Sequence, residues 1–235
     1  GKGLGAGVGP VLPMGNPARK PPAGGGGAKP GGCPWAFPAS AAFSPVVPRL
    51  IRDFRRKWPQ VELLLEETNT ASLLVGLADG RLDAAFVRYG LSTPPDLQLL
   101  RFADEPMKIA VSAAHPLATR NSAPLAALAG EPFILFPRNF GSSLYDEILS
   151  ACRDSGVTLR ITQEAPQMSS IINLVAAELG VSVVPASTAQ LQRPGVRYLD
   201  IEGHMPLARL ALAAAPGGLK TTPLVRHLWA LAKLI

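Results

Sequence analysis

The sequence predicts an α/β protein with parallel strands, and three observations carry that reading. Val61 to Arg88, VELLLEETNTASLLVGLADGRLDAAFVR, runs apolar segment, Thr-Asn-Thr turn, helically spaced Leu73, Leu74 and Leu77, an Asp79-Gly80 stop and a second apolar segment. That is a strand–helix–strand unit, and its crossover requires a parallel sheet. The order recurs from Phe133 to Gly156 and again from Leu159 to Val184, as a second small unit with its own core. No apolar run approaches the ~18 residues of a membrane helix, so hydrophobic content is carried in short core-sized segments.

Residues 1–36 differ from the remainder of this 235-residue chain: they hold 12 of the 23 glycines and 7 of the 24 prolines, with no sustained apolar period. Such a stretch cannot offset chain entropy by burial and is expected to be disordered. It does not read as a secretory signal, because Gly and Pro break up Val8, Val11, Leu12 and Met14. It also holds Lys2, Arg19, Lys20 and Lys29 and no acid, so of a net charge of +6 only +2 belongs to residues 41–235. A nearly neutral folded part excludes a strong polyanion-binding surface.

From Ala36 the texture changes. AFPASAAFSPVV leads into a helix whose Val47, Leu50, Ile51, Phe54 and Trp58 share one face, with Arg49, Arg52, Arg55, Arg56 and Lys57 turned mostly to solvent. Pro59 ends it. In the next helix Asn69 or Thr70 can cap the first amides, and Gly80 can take the left-handed conformation that terminates it. Ser40 stands just before the first helix as Thr70 stands at the second. Ligands of an open parallel sheet bind beyond the carboxyl ends of the strands, where helix starts present free N–H groups, and a hydroxyl there can hold a carboxylate. The plainer role of Thr70 is a helix cap.

Taken as an ordered set, ASAAFSPVVPRLIRDFRRKWPQVELLLEE, the Thr70 helix, GRLDAAFVR, MKIAVSAAHPLA and GVSVVPAS resemble the effector-binding domain of LysR-type transcriptional regulators. The similarity spans roughly Ala36 to the end, and in detail it resembles the branch that responds to aromatic-catabolism intermediates such as muconates.

The remaining elements follow in order. Leu97 to Phe102 is a short edge strand after a Pro-containing loop, and Met107 to Ser112 is a further strand. His115-Pro116 has no partner nucleophile or acid motif, so it does not suggest an enzyme. A short helix at Leu125 to Leu128 precedes the strand Phe133 to Phe136. The next helix opens near Ser142-Ser143 and turns Leu144, Ile148, Leu149 and Cys152 inward, which makes Cys152 a buried free thiol. Leu159 to Gln163 alternates as a strand; Met168, Ile171, Ile172, Val175 and Leu179 form a helix face that Gly180 ends; Val181 to Val184 is a buried strand. Val196 to Ile201 and Arg209 to Ala214 are strands. A final helix has Thr222 as cap, Pro223 first, and Leu224, Leu228, Leu231 and Ile235 on one face. His115, His204 and His227 lie far apart, no metal-ligand spacing is present, and no cofactor is expected.

The resemblance implies two Rossmann-like lobes joined by crossing strands, of the periplasmic binding protein type II kind, with an effector cleft between them. Residues 37–103 and 207–235 would form the first lobe, and 104–206 the second. Matched position by position, Ser40 and Thr70 fall on first-lobe anion contacts. Pro137, Phe140, Ser142, Ser143, Gln167 and Met168 fall on the second-lobe side, Phe140 as an aromatic wall. Arg88 and Arg138 stand near the cleft mouth and could add charge, but neither is counted among the expected contacts, Arg88 because it ends a strand in a place where the family is variable and Arg138 because it can point to water. The implied partners are a small aromatic or dicarboxylic acid, further copies of the chain in a dimer or tetramer, and, through a DNA-binding domain not legible here, promoter DNA and RNA polymerase. Cytoplasmic location, no membrane contact and no catalysis go with this reading. The alternatives are a solute-binding transport protein, which needs an export signal, and an enzyme on the same scaffold, which needs a convergent acid, base or nucleophile.

Two family features are absent from the sequence, a winged helix-turn-helix pattern and a basic linker helix. The first strand is also altered: where the family has an alternating apolar strand ending in Gly-Phe, this chain reads Gly32, Cys33, Pro34, Trp35, Ala36, Phe37. Back-translation in another frame permits such a strand, so the stretch before about Phe37 is expected to be disordered or out of frame. Pro34 and Pro38 should break ladder bonds in a central strand.

Overall fold

A computed structural model describes residues 32–235. The chain begins with strand β1 (Gly32–Pro38), a 3-10 turn (Ala39–Ala41) and helix α1 (Val46–Lys57). Next come β2 (Glu62–Thr68), α2 (Thr70–Ala78), β3 (Ala84–Arg88) and β4 (Gln98–Arg101). Then follow β5 (Glu105–Ser112), β6 (Ser122–Pro124), β7 (Pro132–Leu135), α3 (Ser142–Asp154), β8 (Arg160–Glu164) and α4 (Met168–Ala176). The remainder is β9 (Ser182–Pro185), β10 (Val196–Glu202), β11 (Leu207–Ala208), β12 (Leu210–Ala214), α5 (Gly218–Thr221) and α6 (Pro223–Ala232).

The first lobe is a sheet of order β2-β1-β3-β12-β4. Its central strands read as continuous apolar runs because both faces are covered. In AAFVR of β3, Ala84 and Phe86 face a core shared with Leu50, Phe54 and Leu228, while Ala85 and Val87 face Leu73 and Leu77 of α2. The aromatic rings of Trp35 and Phe54 meet edge to face at 4.7 Å, and Trp58 stacks on His227 of α6 at 4.6 Å, which ties the two outer helices together. The basic side chains of α1 are exposed, as its periodicity predicts, and three of them close its last turn against the negative end of the helix dipole.

The second lobe carries β11-β5-β10-β6 with β9 also on β5, and a parallel β7-β8 pair joined to β9 through Phe133 and Val181. Its core centres on Ile109, Phe133, Ile134, Ile148, Ile171 and Val183. Cys152 is buried there as a free thiol, and burial pushes it up to about 11. The lobes are joined where the chain crosses twice. Gln98–Arg101 pairs antiparallel with Ala211–Ala214, Phe102 donates its N–H to the Leu210 carbonyl, and Glu105–Pro106 pairs with Leu207–Ala208. The crossing segments therefore lie side by side. The short strand Leu207–Ala208 pairs with β5, and Leu210–Ala214 pairs with β3.

Several expectations change. Gly32 to Ala36, assigned above to a segment without structure, lie in β1, which pairs with β2 through all seven residues; residues 1–31 lie outside the described residues. The prolines do limit β1 on its other side: its pairing with β3 is confined to Ala36, between Pro34 and Pro38, which lack amide protons. The Val61–Leu65 run does lead into a strand, β2. It opens an edge strand, on which Leu64 and Leu65 are 52% and 48% exposed. Leu179 falls beyond the end of α4 and is exposed, as is Ile235, so the inner face of α6 is Val225, Leu228 and Ala232. The Thr222 hydroxyl makes no cap bond.

Candidate functional site

Every parallel strand of the first lobe ends at the same edge, and each delivers polar side chains there. β1 runs through Pro38 into the turn that carries Ser40; β2 runs through Thr68 into Asn69 and Thr70; β3 ends on Arg88. The second lobe repeats the device with β7 and β8, whose carboxyl ends lead to Phe136 and Phe140 before α3, and to Pro166 and Gln167 before α4. These ends enclose a cavity of about 200 Å³ between the lobes.

One side of the cavity is polar. The side chain of Asn69, not Thr70, caps α2, its Oδ1 accepting the Ser72 N–H at 2.9 Å. Thr70 is thereby free of the capping task, and its hydroxyl instead accepts the backbone N–H of Arg88 at 3.4 Å while the residue is 5% exposed. Ser40 Oγ accepts from Arg88 Nε at 3.3 Å. The opposite walls are apolar, formed by Phe136, Phe140, Leu144 and Met168. Gln167 is the cap position of α4 but its side chain makes no cap bond, so no side chain caps the start of that helix, where Gln167 and Met168 line the cavity. Helix starts from both lobes thus aim partial positive charge at one small space.

Arg88 is the residue that sequence reasoning set aside and the structure puts at the centre. It is 2% exposed. Its Nη2 donates to the Ser40 carbonyl at 2.7 Å and lies 3.5 Å from Glu105 Oε2, and its Nη1 donates to the Ala208 carbonyl at 3.1 Å. Burial pushes the guanidinium below its ordinary value, and the Glu105 carboxylate opposes this. Glu105 accepts in turn from the Ser187 N–H at 2.6 Å. A first-lobe strand end, both crossing segments and the second lobe therefore meet at one ion pair. The signal in the sequence was a single charge ending the apolar run AAFVR, at the same sheet edge as Ser40 and Thr70.

Of the eight residues expected at the site, Ser40, Thr70, Phe140, Gln167 and Met168 line the cavity. Pro137, Ser142 and Ser143 are not among its walls. Ser142 and Ser143 sit at the start of α3 and hydrogen-bond across the lobes to the Ser92 hydroxyl, at 2.9 and 3.1 Å. Close approach to Gly90 explains this: a Cβ there would lie 2.8 Å from that of Ser143. The serines bridge the lobes beside the cleft. Asn69, Glu67, Pro38 and Pro166 join the lining without having been anticipated. Arg138 is exposed and forms a two-point pair with Asp146, both contacts at 2.8 Å. Among the described residues no group of three or more His, Cys, Asp or Glu could hold a metal.

The family model described as the LysR substrate binding domain matches residues 36–233. The uncharacterized HTH-type transcriptional regulator YnfL of Escherichia coli (strain K12) is 38% identical over 165 residues, 70% of this chain and 55% of that protein. The HTH-type transcriptional regulator CatR of Pseudomonas putida is 32% identical over 189 residues, 80% of this chain and 64% of that protein. The chain thus spans between 55% and 64% of the length of such curated relatives. Two solved structures share the fold. The effector binding domain of QuiR in complex with shikimate has a TM-score of 0.76 at 21% identity, covering 86% of this chain and 95% of that one. The BenM effector binding domain with its effector benzoate has a TM-score of 0.73 at 24% identity, covering 88% and 92%. With the match running from β1 to the end of α6, the chain belongs to the LysR substrate-binding domain family.

Proposed function

We propose that the cleft binds a small organic carboxylate, aromatic or dicarboxylic, and that the chain is the sensing part of a transcription regulator rather than an enzyme. The observation that carries this is the meeting of two hydroxyls and a helix start that no side chain caps with a partly apolar space of about 200 Å³. A carboxylate is an acceptor-only group that such donors satisfy. Benzoate and shikimate, bound by structural neighbours, are acids of this size. The relatives named as regulators favour this reading over a transport protein on the same scaffold. Ligand held by both lobes would bias their separation and so the presentation of whatever the first lobe is attached to, including a DNA-binding domain acting on promoter DNA and RNA polymerase. Such a regulator would work in the cytoplasm; among the described residues no helix is long and apolar enough to cross a membrane.

A thermal-shift screen against benzoate, muconate, phenylpropionate and neutral analogues tests the site. Saturation at a hundred times the dissociation constant adds about 2.7 kcal/mol to stability, which is readily measured. The expected result is a shift with an acid that Ser40→Ala and Thr70→Ala abolish; a shift untouched by both substitutions would place the ligand elsewhere.

The regulator reading also implies self-association as a dimer or tetramer. The edge of β2, with Leu64 and Leu65 exposed, offers an unpaired strand for it. Light scattering should give a mass of two or more chains, and Leu65→Lys should lower it. A wild-type monomer that melts cooperatively would contradict the pairing.

A further inference from the structure

We propose that Arg88 fixes the direction of the hydroxyl protons in the cleft, so that the site selects a deprotonated carboxylate over the matching neutral amide. This rests on the carboxylate-binding reading above and names the residue behind its selectivity. A serine or threonine hydroxyl has one proton to give and can accept from others, and its polarity is set by whichever neighbour it must satisfy. Both cleft hydroxyls face donors of the same residue: Ser40 Oγ accepts from Arg88 Nε at 3.3 Å, and Thr70 Oγ1 accepts from the Arg88 backbone N–H at 3.4 Å. Neither can turn its proton toward Arg88, and among the described residues neither donates to a protein acceptor. Each proton is left for the cavity that both residues line. Thr70 is 5% exposed and lines that cavity.

The guanidinium itself is largely spent. Three of its five N–H groups are taken by Ser40 Oγ, the Ser40 carbonyl and the Ala208 carbonyl, and Glu105, 3.5 Å from Nη2, balances its charge. Arg88 is therefore a positioning residue that acts through Ser40 and Thr70. A carboxylate accepts from both hydroxyls; an amide nitrogen directed at either would set donor against donor. The two halves are separable, because the bond to Ser40 needs the side chain of Arg88 whereas the bond to Thr70 needs only its backbone.

The test measures dissociation constants of benzoate and benzamide, and of muconate and its diamide, by calorimetry. The proteins are wild type, Arg88→Met, Ser40→Ala and the double variant of these two. Arg88→Met paired with Glu105→Gln serves as a second route should Arg88→Met alone not fold. Wild type should prefer acid to amide by about a hundredfold, and Arg88→Met should lower that preference about tenfold, the loss of one oriented hydroxyl of two. In the Ser40→Ala background the same Arg88→Met change should leave the preference unaltered. Parallel weakening of acid and amide would make Arg88 merely structural and overturn the proposal. An equal drop in preference with and without the Ser40 hydroxyl would show a direct charge effect and overturn it too. Failure of wild type to bind any acid would remove the carboxylate reading and this inference together, whereas acid binding with an unchanged preference removes the inference alone.

Discussion

Gly180→Ala is expected to destabilise the second lobe by on the order of 3 kcal/mol or more, since backbone strain and steric overlap each contribute about 1–3. Gly180 has φ +158°, and a Cβ there would sit 2.4 Å from the Pro132 carbonyl oxygen and 3.0 Å from its carbon. That oxygen cannot yield, because it accepts the Val181 N–H at 2.8 Å in the contact that joins β7 to β9, where Ile134 donates back to Val181 at 2.9 Å. The substitution must break one of these bonds or bend a buried strand. Gly156, with φ +77° and open space around its Cβ direction, is the control and should cost only about 1 kcal/mol when replaced by Ala. For a chain of this length the first change corresponds to a fall in melting temperature of about 6–12 °C. Equal melting of the two variants would show that the Pro132 contact does not matter.

The second large effect belongs to the Arg88–Glu105 pair. Arg88→Met alone leaves Glu105, whose side chain is 16% exposed, without its counter-charge, and breaking such a pair costs roughly 3–5 kcal/mol. Because Glu105 retains some water contact and the Ser187 N–H, the lower end of that range is expected. Replacing both residues, Arg88→Met with Glu105→Gln, should recover most of the loss, since no charge is then buried alone. Urea unfolding of the three proteins gives the comparison. A double variant as unstable as the single one would mean that the hydrogen bonds to Ser40 and Ala208, not the charge pair, hold this junction together.

Much of the fold was legible because its signals are local. The periodicity of α1, the Gly80 stop at φ +74° and the apolar run AAFVR each report their own element. The two-lobe plan came with the family resemblance. What was misread depends on neighbours distant in sequence. The run Leu63-Leu64-Leu65 signals a strand but not whether it lies at a sheet edge, and here it does. At the site, Ser40 and Thr70 were legible as hydroxyls at helix starts. Arg88 was passed over because a charge ending a strand looks like a solvent anchor until the crossing segments are placed against it. Ser142 and Ser143 have the same sequence signature as Thr70. Gly90 lets the neighbouring loop approach them, and their hydroxyls hydrogen-bond to its Ser92.

The side-by-side crossing of the lobes has a mechanical consequence. Both β1 and α6 belong to the first lobe, while residues 105–208 leave and return through strands that are hydrogen-bonded neighbours, with paired Cα atoms about 5 Å apart. Tension applied between residues 32 and 235 is therefore carried by the first sheet alone. The second lobe bears no load until the β4–β12 and β5–β11 rungs have sheared, so in a pulling experiment it should remain folded as a late, separate step.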